Sequence, residues 1–411
     1  MRQCVLDWLG VTLRGAREPV ARRSREAVAS WGAWHGPATA IGTPITAGAA
    51  DAALVNGIAG HVLDYDDTAV GSFEGHPSAP LLPALLAVAE TRRINPADLI
   101  QAFAVGYRTA SLLGTWANPS HYRRGWHATA TLGVFAAAAG CAALLELDAE
   151  RTGAALALAA AHASGLRASF GTPAKAVQVG HAAANGLRCA LMAEHGLRVD
   201  ADLLAGDTGF LELHAGRDDG IAPAGLESIL VKYHACCHCT HAAIDAIAAL
   251  ALDPADISAI EVQAAPSLAD VCGIDDPQTG LELKFSLRGL TTLTLLGLDT
   301  GDPDVLSDGW ARDPRYSELR DRVDVLYTDG LSEFQAQVTV RTGDGEARTR
   351  FADATLHPAP DERWPRLIAK FQRLTVPVIG PSRTEAIIES VRALETLPEV
   401  ESLLRCCAVP A

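Results

Sequence analysis

Hydrophobic residues recur at helical spacing from the first turn of the chain onward. In residues 3–14 (QCVLDWLGVTLR) apolar side chains fall three and four apart, and Gly15 supplies a stop. After a turn-rich linker the pattern resumes over 49–63, then over 81–90, 97–113, 131–147, 152–165 and 180–195. Asn95-Pro96-Ala97-Asp98 reads as a helix start, because Pro96 stands where its missing N–H costs least. The first half is therefore predicted to be all-α. Beyond about residue 229 the period shortens to two. Residues 257–264 (ISAIEVQA) and 334–341 (FQAQVTVR) alternate as half-buried strands do, and 323–327 is a further strand candidate. Asp344-Gly345 before 347–351 is a hairpin signal. Helices are expected over 240–251 and 282–296 among these strands, and again from Arg363, including 383–394. The predicted fold is mainly α with an α+β insertion: a helical domain of 1–229 and 363–411, and a smaller α+β lid domain of 230–362.

Composition sharpens this. The 411 residues are 49% apolar but only 5% aromatic, which favours closely packed alanine-rich helices over a β-sandwich. A formal net charge of −15 argues against nucleic acid, since phosphate binding rests on Lys and Arg. It leaves room for a small anion held by a local cluster of cations. The most apolar run, 128–145, is mostly alanine with threonines and glycines, which reads as a core helix and not a membrane span. Nine irregularly spaced cysteines, with no signal-peptide pattern after Met1, point to reduced thiols in a cytoplasmic protein.

Four stretches collect polar groups between apolar walls. The densest is 61–78, HVLDYDDTAVGSFEGHPS, with Asp64, Asp66, Asp67, Thr68, His61 and His76. Acids and imidazoles so placed suit proton transfer, against a plainer reading as a solvated acidic loop with a helix cap. In 123–133 (RRGWHATATLG), His127 precedes an alanine-rich helix and titrates near neutrality when unperturbed. In 165–180 (GLRASFGTPAKAVQVG), the Gly171-Thr172-Pro173 turn presents Lys175, and no nucleotide-binding glycine pattern occurs. In 232–245 (KYHACCHCTHAAID), three histidines and three cysteines suggest a metal, yet the adjacent cysteines cannot easily both face one tetrahedral ion. This segment is expected to cross between the domains, with His241 and Asp245 one helical turn apart. A serine hydrolase is unsupported, because no G-x-S-x-G elbow occurs.

Taken in order, HVLDYDDT (61–68), GHPSAPLLPALLAVAE (75–90), GWHATATLGVFAAAA (125–139), FGTPAKAVQVGHAAANGLRCALMAEHGL (170–197), KYHACCHCTHAAIDA (232–246) and ELKFSL (282–287) resemble the MmgE/PrpD family over nearly the whole chain. That family includes 2-methylcitrate dehydratase, cis-aconitate decarboxylase and iminodisuccinate epimerase. The resemblance implies a helical domain plus lid, a cleft between them, a small polycarboxylate substrate, a homodimer, and no metal or other cofactor. Carried over residue by residue, it implies Asp64, His76, His127 and Lys175 as catalytic positions, and Thr68, Lys232 and Cys237 as substrate-binding ones. Departures are visible. Arg288 and Gly289 follow KFSL where dehydratase- and decarboxylase-like members carry a tyrosine. Cys237 replaces a histidine of the decarboxylase, and Ser120-His121-Tyr122 is similar to the epimerase branch. The chain also starts later than most members.

The expected function is a cofactor-independent lyase of the 2-methylcitrate dehydratase type, with propionate metabolism as its setting. The alternatives are an epimerase using the same α-proton abstraction, and a dimeric carboxylate-binding protein without catalysis.

Overall fold

A computed structural model describes residues 1–32, 34–117, 120–214 and 222–409. Its helices of eight residues or more are α1 (Arg2–Gly15), α2 (Pro19–Ser30), α3 (Ala49–His61), α4 (Ser78–Arg92), α5 (Pro96–Ala117), α6 (Gly133–Leu144), α7 (Ala149–Ala160), α8 (Ala174–Glu194), α9 (His241–Leu250), α10 (Leu287–Leu295), α11 (Pro360–Ile379), α12 (Pro381–Arg392) and α13 (Val400–Cys407). One four-stranded sheet, β1 (Ile257–Ala264), β2 (Val323–Tyr327), β3 (Gln335–Thr342) and β4 (Ala347–Asp353), runs in the order β2-β1-β3-β4. β1 and β2 are parallel, and the other pairs are antiparallel. The architecture is mainly α with one small mixed sheet in the C-terminal part.

Three departures from the periodicity matter for the site. The helix expected over 131–147 is broken at Leu132, with a separate turn at Ala128–Thr131. The helix expected from residue 180 begins at Ala174, which moves Lys175 from a turn into the first turn of α8. The helix expected over 282–296 is interrupted at 284–286, where Ser286 accepts the Gly289 N–H as the N-cap of α10.

α3 and α8 set the geometry. A Cβ on Gly57 would stand 2.9 Å from the Gly180 Cα, and one on Gly180 would stand 2.5 Å from the Leu54 carbonyl. Backbone contact this close requires glycine on both helices. It brings the end of α3, at His61, against the start of α8, at Lys175. From the far end of the chain, α11 lies along α1, where Lys370 Nζ meets the buried Asp7 Oδ1 at 2.5 Å and donates to the Tyr65 carbonyl at 2.8 Å.

Candidate active site

α3 ends at His61, and the chain turns sharply. Asp64 adopts φ 51°, in the left-handed region that aspartate tolerates better than most residues. Four residues past Asp64, Thr68–Ala69 pairs antiparallel with Ile229–Leu230, and that register delivers Lys232 to Asp64. The Lys232 ammonium donates to the Asp64 carbonyl and, at 3.1 Å, to its Oδ1. Lys175 donates to the same Oδ1 at 3.0 Å and to His61 Nε2 at 2.9 Å. Burial alone would raise the Asp64 pKa, but the charges of Lys175 and Lys232, with His76 and His61 behind them, hold it well below the carboxylate range. Asp66 is likewise held low against burial by His61 and His76.

Donor directions fix the tautomers. His61 Nε2 accepts from Lys175, so its proton sits on Nδ1 and is given to Asp66 Oδ2 at 2.8 Å. Burial lowers His61 to about 4, which keeps it neutral. His127 is neutral too, pushed well below its usual value first by burial and then by Lys175. Gln178 Oε1 accepts the Leu166 N–H, so its amide nitrogen faces His127 Nδ1 at 2.5 Å and donates to it. The His127 proton is therefore on Nε2, which is buried without a hydrogen-bond partner among the described residues. His76 stands between two carboxylates, with Nε2 3.5 Å from Asp64 Oδ1 and Nδ1 3.2 Å from Asp66 Oδ2. The second contact is close but out of line for a hydrogen bond.

These groups face a cleft of about 670 Å³. Asp64, Thr68, His76, His127, Lys175 and Cys237 all line it. Lys232, expected to hold substrate, does not: it has no exposed surface and spends two of its donors on Asp64. His61 and Asp66, which sequence reasoning left outside the site, link Lys175 to His76 from behind. Their signal was their spacing from the α3 terminus, which periodicity alone does not orient. Gln178 was missed for a similar reason, being one turn beyond Lys175 on a helix expected to start later. Tyr122, Phe170, Phe285 and Phe334 supply apolar wall, and Glu74 and Glu333 line the cleft as well. Gly289, the departure noted after KFSL, is packed inside α10, where a Cβ would stand 2.8 Å from Tyr316 Oη.

His61, Asp66 and His76 form the one His/Cys/Asp/Glu group among the described residues whose ligand atoms lie within 4.8 Å of one another. A cation fits them poorly. Lys175 keeps the proton on His61 Nδ1, leaving no lone pair there, and two ammonium groups stand nearby. Residues 234–241 do not converge in this way. Asp245, one turn beyond His241, pairs instead with His234 Nε2 at 3.2 Å, while Thr300 bonds His234 Nδ1 at 2.7 Å.

Comparison with known proteins agrees with the fold. The MmgE/PrpD N-terminal domain matches residues 1–220, and the MmgE/PrpD C-terminal domain matches 234–396. A cis-aconitate decarboxylase of Aspergillus terreus is 27% identical over 99% of this chain and 90% of that protein. The cis-aconitate decarboxylase-like protein oryM of Aspergillus oryzae is also 27% identical, over 98% of this chain and 91% of its own length. The human cis-aconitate decarboxylase is 32% identical over 42% of this chain, and only 37% of that protein is covered. With both domains matched in order, the chain belongs to the MmgE/PrpD family.

Proposed function

We propose that this protein is a lyase acting on a small tricarboxylate by proton transfer between side chains. The observation that carries it is the pairing of a neutral His127, proton on Nε2, with the doubly flanked His76 across one cleft that Lys175 also lines. An ammonium has three donors, and Lys175 uses two on Asp64 and His61. The third is free for a substrate carboxylate, with the unpaired Thr68 hydroxyl beside it. His76 then removes a proton from the carbon α to a carboxylate, and Asp64 and Asp66 stabilise the imidazolium. His127 Nε2–H protonates a departing hydroxyl, which leaves as water. General acid and base groups of this kind contribute about 10²- to 10⁴-fold each.

A second reading has its own support. The fungal relatives that span almost the whole chain are named as cis-aconitate decarboxylases. In that version the bond to a carboxylate breaks, carbon dioxide leaves, and His127 or His76 protonates the carbon. Cys237, where the resemblance would put a histidine, weighs against it.

Incubation with 2-methylcitrate, citrate, cis-aconitate and iminodisuccinate separates the outcomes. New unsaturation without carbon dioxide supports elimination of water, and carbon dioxide from cis-aconitate supports the second reading. Solvent deuterium entering the α-carbon with no net product indicates an epimerase and removes the lyase. Ligand-dependent thermal stabilisation with no turnover indicates a binding protein.

A further inference from the structure

A second cavity, of about 1030 Å³, takes no part in the acid–base scheme. Among the described residues it shares only His238 with the cleft. Its wall includes Ile229, Leu230 and Tyr233, from the segment whose ladder with Thr68–Ala69 delivers Lys232 to Asp64. Three imidazoles run along it, with ring centroids 4.8 Å apart from His234 to His241 and 4.7 Å apart from His241 to His238. His234 is spent at both nitrogens, on Asp245 and on Thr300. His241, at the start of α9, is not. It is 4% exposed, and its Nε2 is buried without a hydrogen-bond partner among the described residues. An unpaired buried polar atom is unfavourable, and a hydrogen-bonding group of a ligand relieves it.

Positive charge comes to this cavity from α11. Arg363 and Arg366 stand three residues apart on that helix, and both line the cavity. Arg366 lies over the Tyr233 ring, 4.1 Å from its centroid, and Arg363 gives its Nε–H to the Pro358 carbonyl at 3.1 Å. The other N–H groups of both side chains have no hydrogen-bond partner among the described residues. Two planar forks of donors match the oxygens of a carboxylate or a phosphate. Three carboxylates line the cavity too, and two of them are engaged. Asp245 pairs with His234, and Asp353 accepts from the Thr355 N–H, the Thr355 hydroxyl and the Gln335 amide. Glu227 lies on the exposed rim.

We propose that this cavity is a second binding site, for a small organic anion that carries a carboxylate or a phosphate. Arg363 and Arg366 hold the anionic oxygens, and His241 Nε2 meets a polar group of the same ligand. The site is separate from the cleft in its chemistry: it has guanidinium donors and no lysine, and it holds none of the acid–base groups. It adjoins the cleft through His238, whose Nδ1 is also buried without a partner among the described residues.

The test needs no turnover, so its failure is distinct from failure of the lyase reading. Inorganic phosphate and, separately, succinate are titrated into the full-length protein carrying nitrogen-15 histidine, and the imidazole resonances are followed by NMR. The expected result is a saturable shift of His241 with at least one of the two anions, and the comparison tells the phosphate and carboxylate classes apart. In an R363Q/R366Q variant the affinity read at His241 is expected to fall by about tenfold or more, from the loss of charge-assisted hydrogen bonds. Lys175→Met, which removes the cation lining the cleft, is expected to leave that affinity unchanged. The proposal is overturned if neither anion moves His241 at millimolar concentration, if the double arginine variant binds as the wild type does, or if Lys175→Met abolishes the shift. The wild-type titration answers even where a variant fails to fold, because an anion held only in the cleft moves His76 and His127 and leaves His241 in place.

Discussion

Lys232 donates to Asp64 twice, once to its main-chain carbonyl and once to its carboxylate, from a position with no exposed surface. The contact pins a residue whose left-handed backbone costs on the order of 1–2 kcal/mol, and it fixes where the carboxylate points. Lys232→Met is expected to lower kcat by about 10²-fold through misplacement of Asp64, with a smaller change in KM. It also leaves Asp64 with one cation fewer, so thermal stability falls as well. Steady-state kinetics beside thermal unfolding checks this. Lower stability with unchanged kcat contradicts the positioning role.

Gln178 decides which nitrogen of His127 carries the proton. A glutamate there accepts from Nδ1–H, so Nε2 becomes an acceptor and the donor into the cleft is lost. Gln178→Glu is expected to reduce kcat by about 10²- to 10⁴-fold, the range for loss of one general acid. Nitrogen-15 shifts of the imidazole read the tautomer directly. A glutamate variant that keeps both its Nε2 proton and its rate removes His127 as the acid.

Asp67 takes no part in the cleft. It accepts from the Ser78 N–H at 3.2 Å and the Ser78 hydroxyl at 2.5 Å, bracing the start of α4. Burial, with Asp7 adding to it, raises its pKa from 3.8 to about 7. The folded state therefore binds more protons than the unfolded state between those values. The resulting stability is complete below the unfolded pKa and is lost as pH rises toward 7. Asp67→Asn is expected to flatten this part of the profile and to raise Tm near neutrality relative to wild type. The same downward slope in both proteins, measured by thermal unfolding from pH 4 to 8, assigns it elsewhere.

The buried Asp7–Lys370 pair joins the first long helix to the helix that begins at Pro360. Burial dominates both groups, raising Asp7 and lowering Lys370. Lys370→Met strands a carboxylate in the core and is expected to cost about 3–5 kcal/mol. Adding Asp7→Leu is expected to recover most of that loss, because the unpaired charge is then gone. Denaturant unfolding of the two variants tests it, and additive losses rule it out.

Much of the architecture was legible in the chain. Periods of 3.6 and 2 separated the helical half from the sheet because each follows from where consecutive side chains point. Polar groups between apolar runs marked the stretch 61–78, His127 and Lys175 locally, but it was the family resemblance that separated Asp64, Thr68 and His76 from Asp66, Asp67 and His61. Helix starts were less legible: α8 begins six residues before residue 180, since Ala174 and Lys175 carry no apolar period of their own.

What the sequence by itself determined was the element types and the inventory of chemical groups. The tertiary structure alone decided how those groups divide the work. Lys232 reads like any cation over a cleft until the Thr68–Leu230 ladder places it beneath Asp64. His61 and Asp66 read as helix end and loop until α3 and α8 touch through Gly57 and Gly180. Proton positions depend on partners more than a hundred residues away in sequence, such as Lys175 on His61, or across a loop, such as Gln178 on His127. Hydrogen bonding and burial are properties of neighbours in space, and local sequence does not contain them.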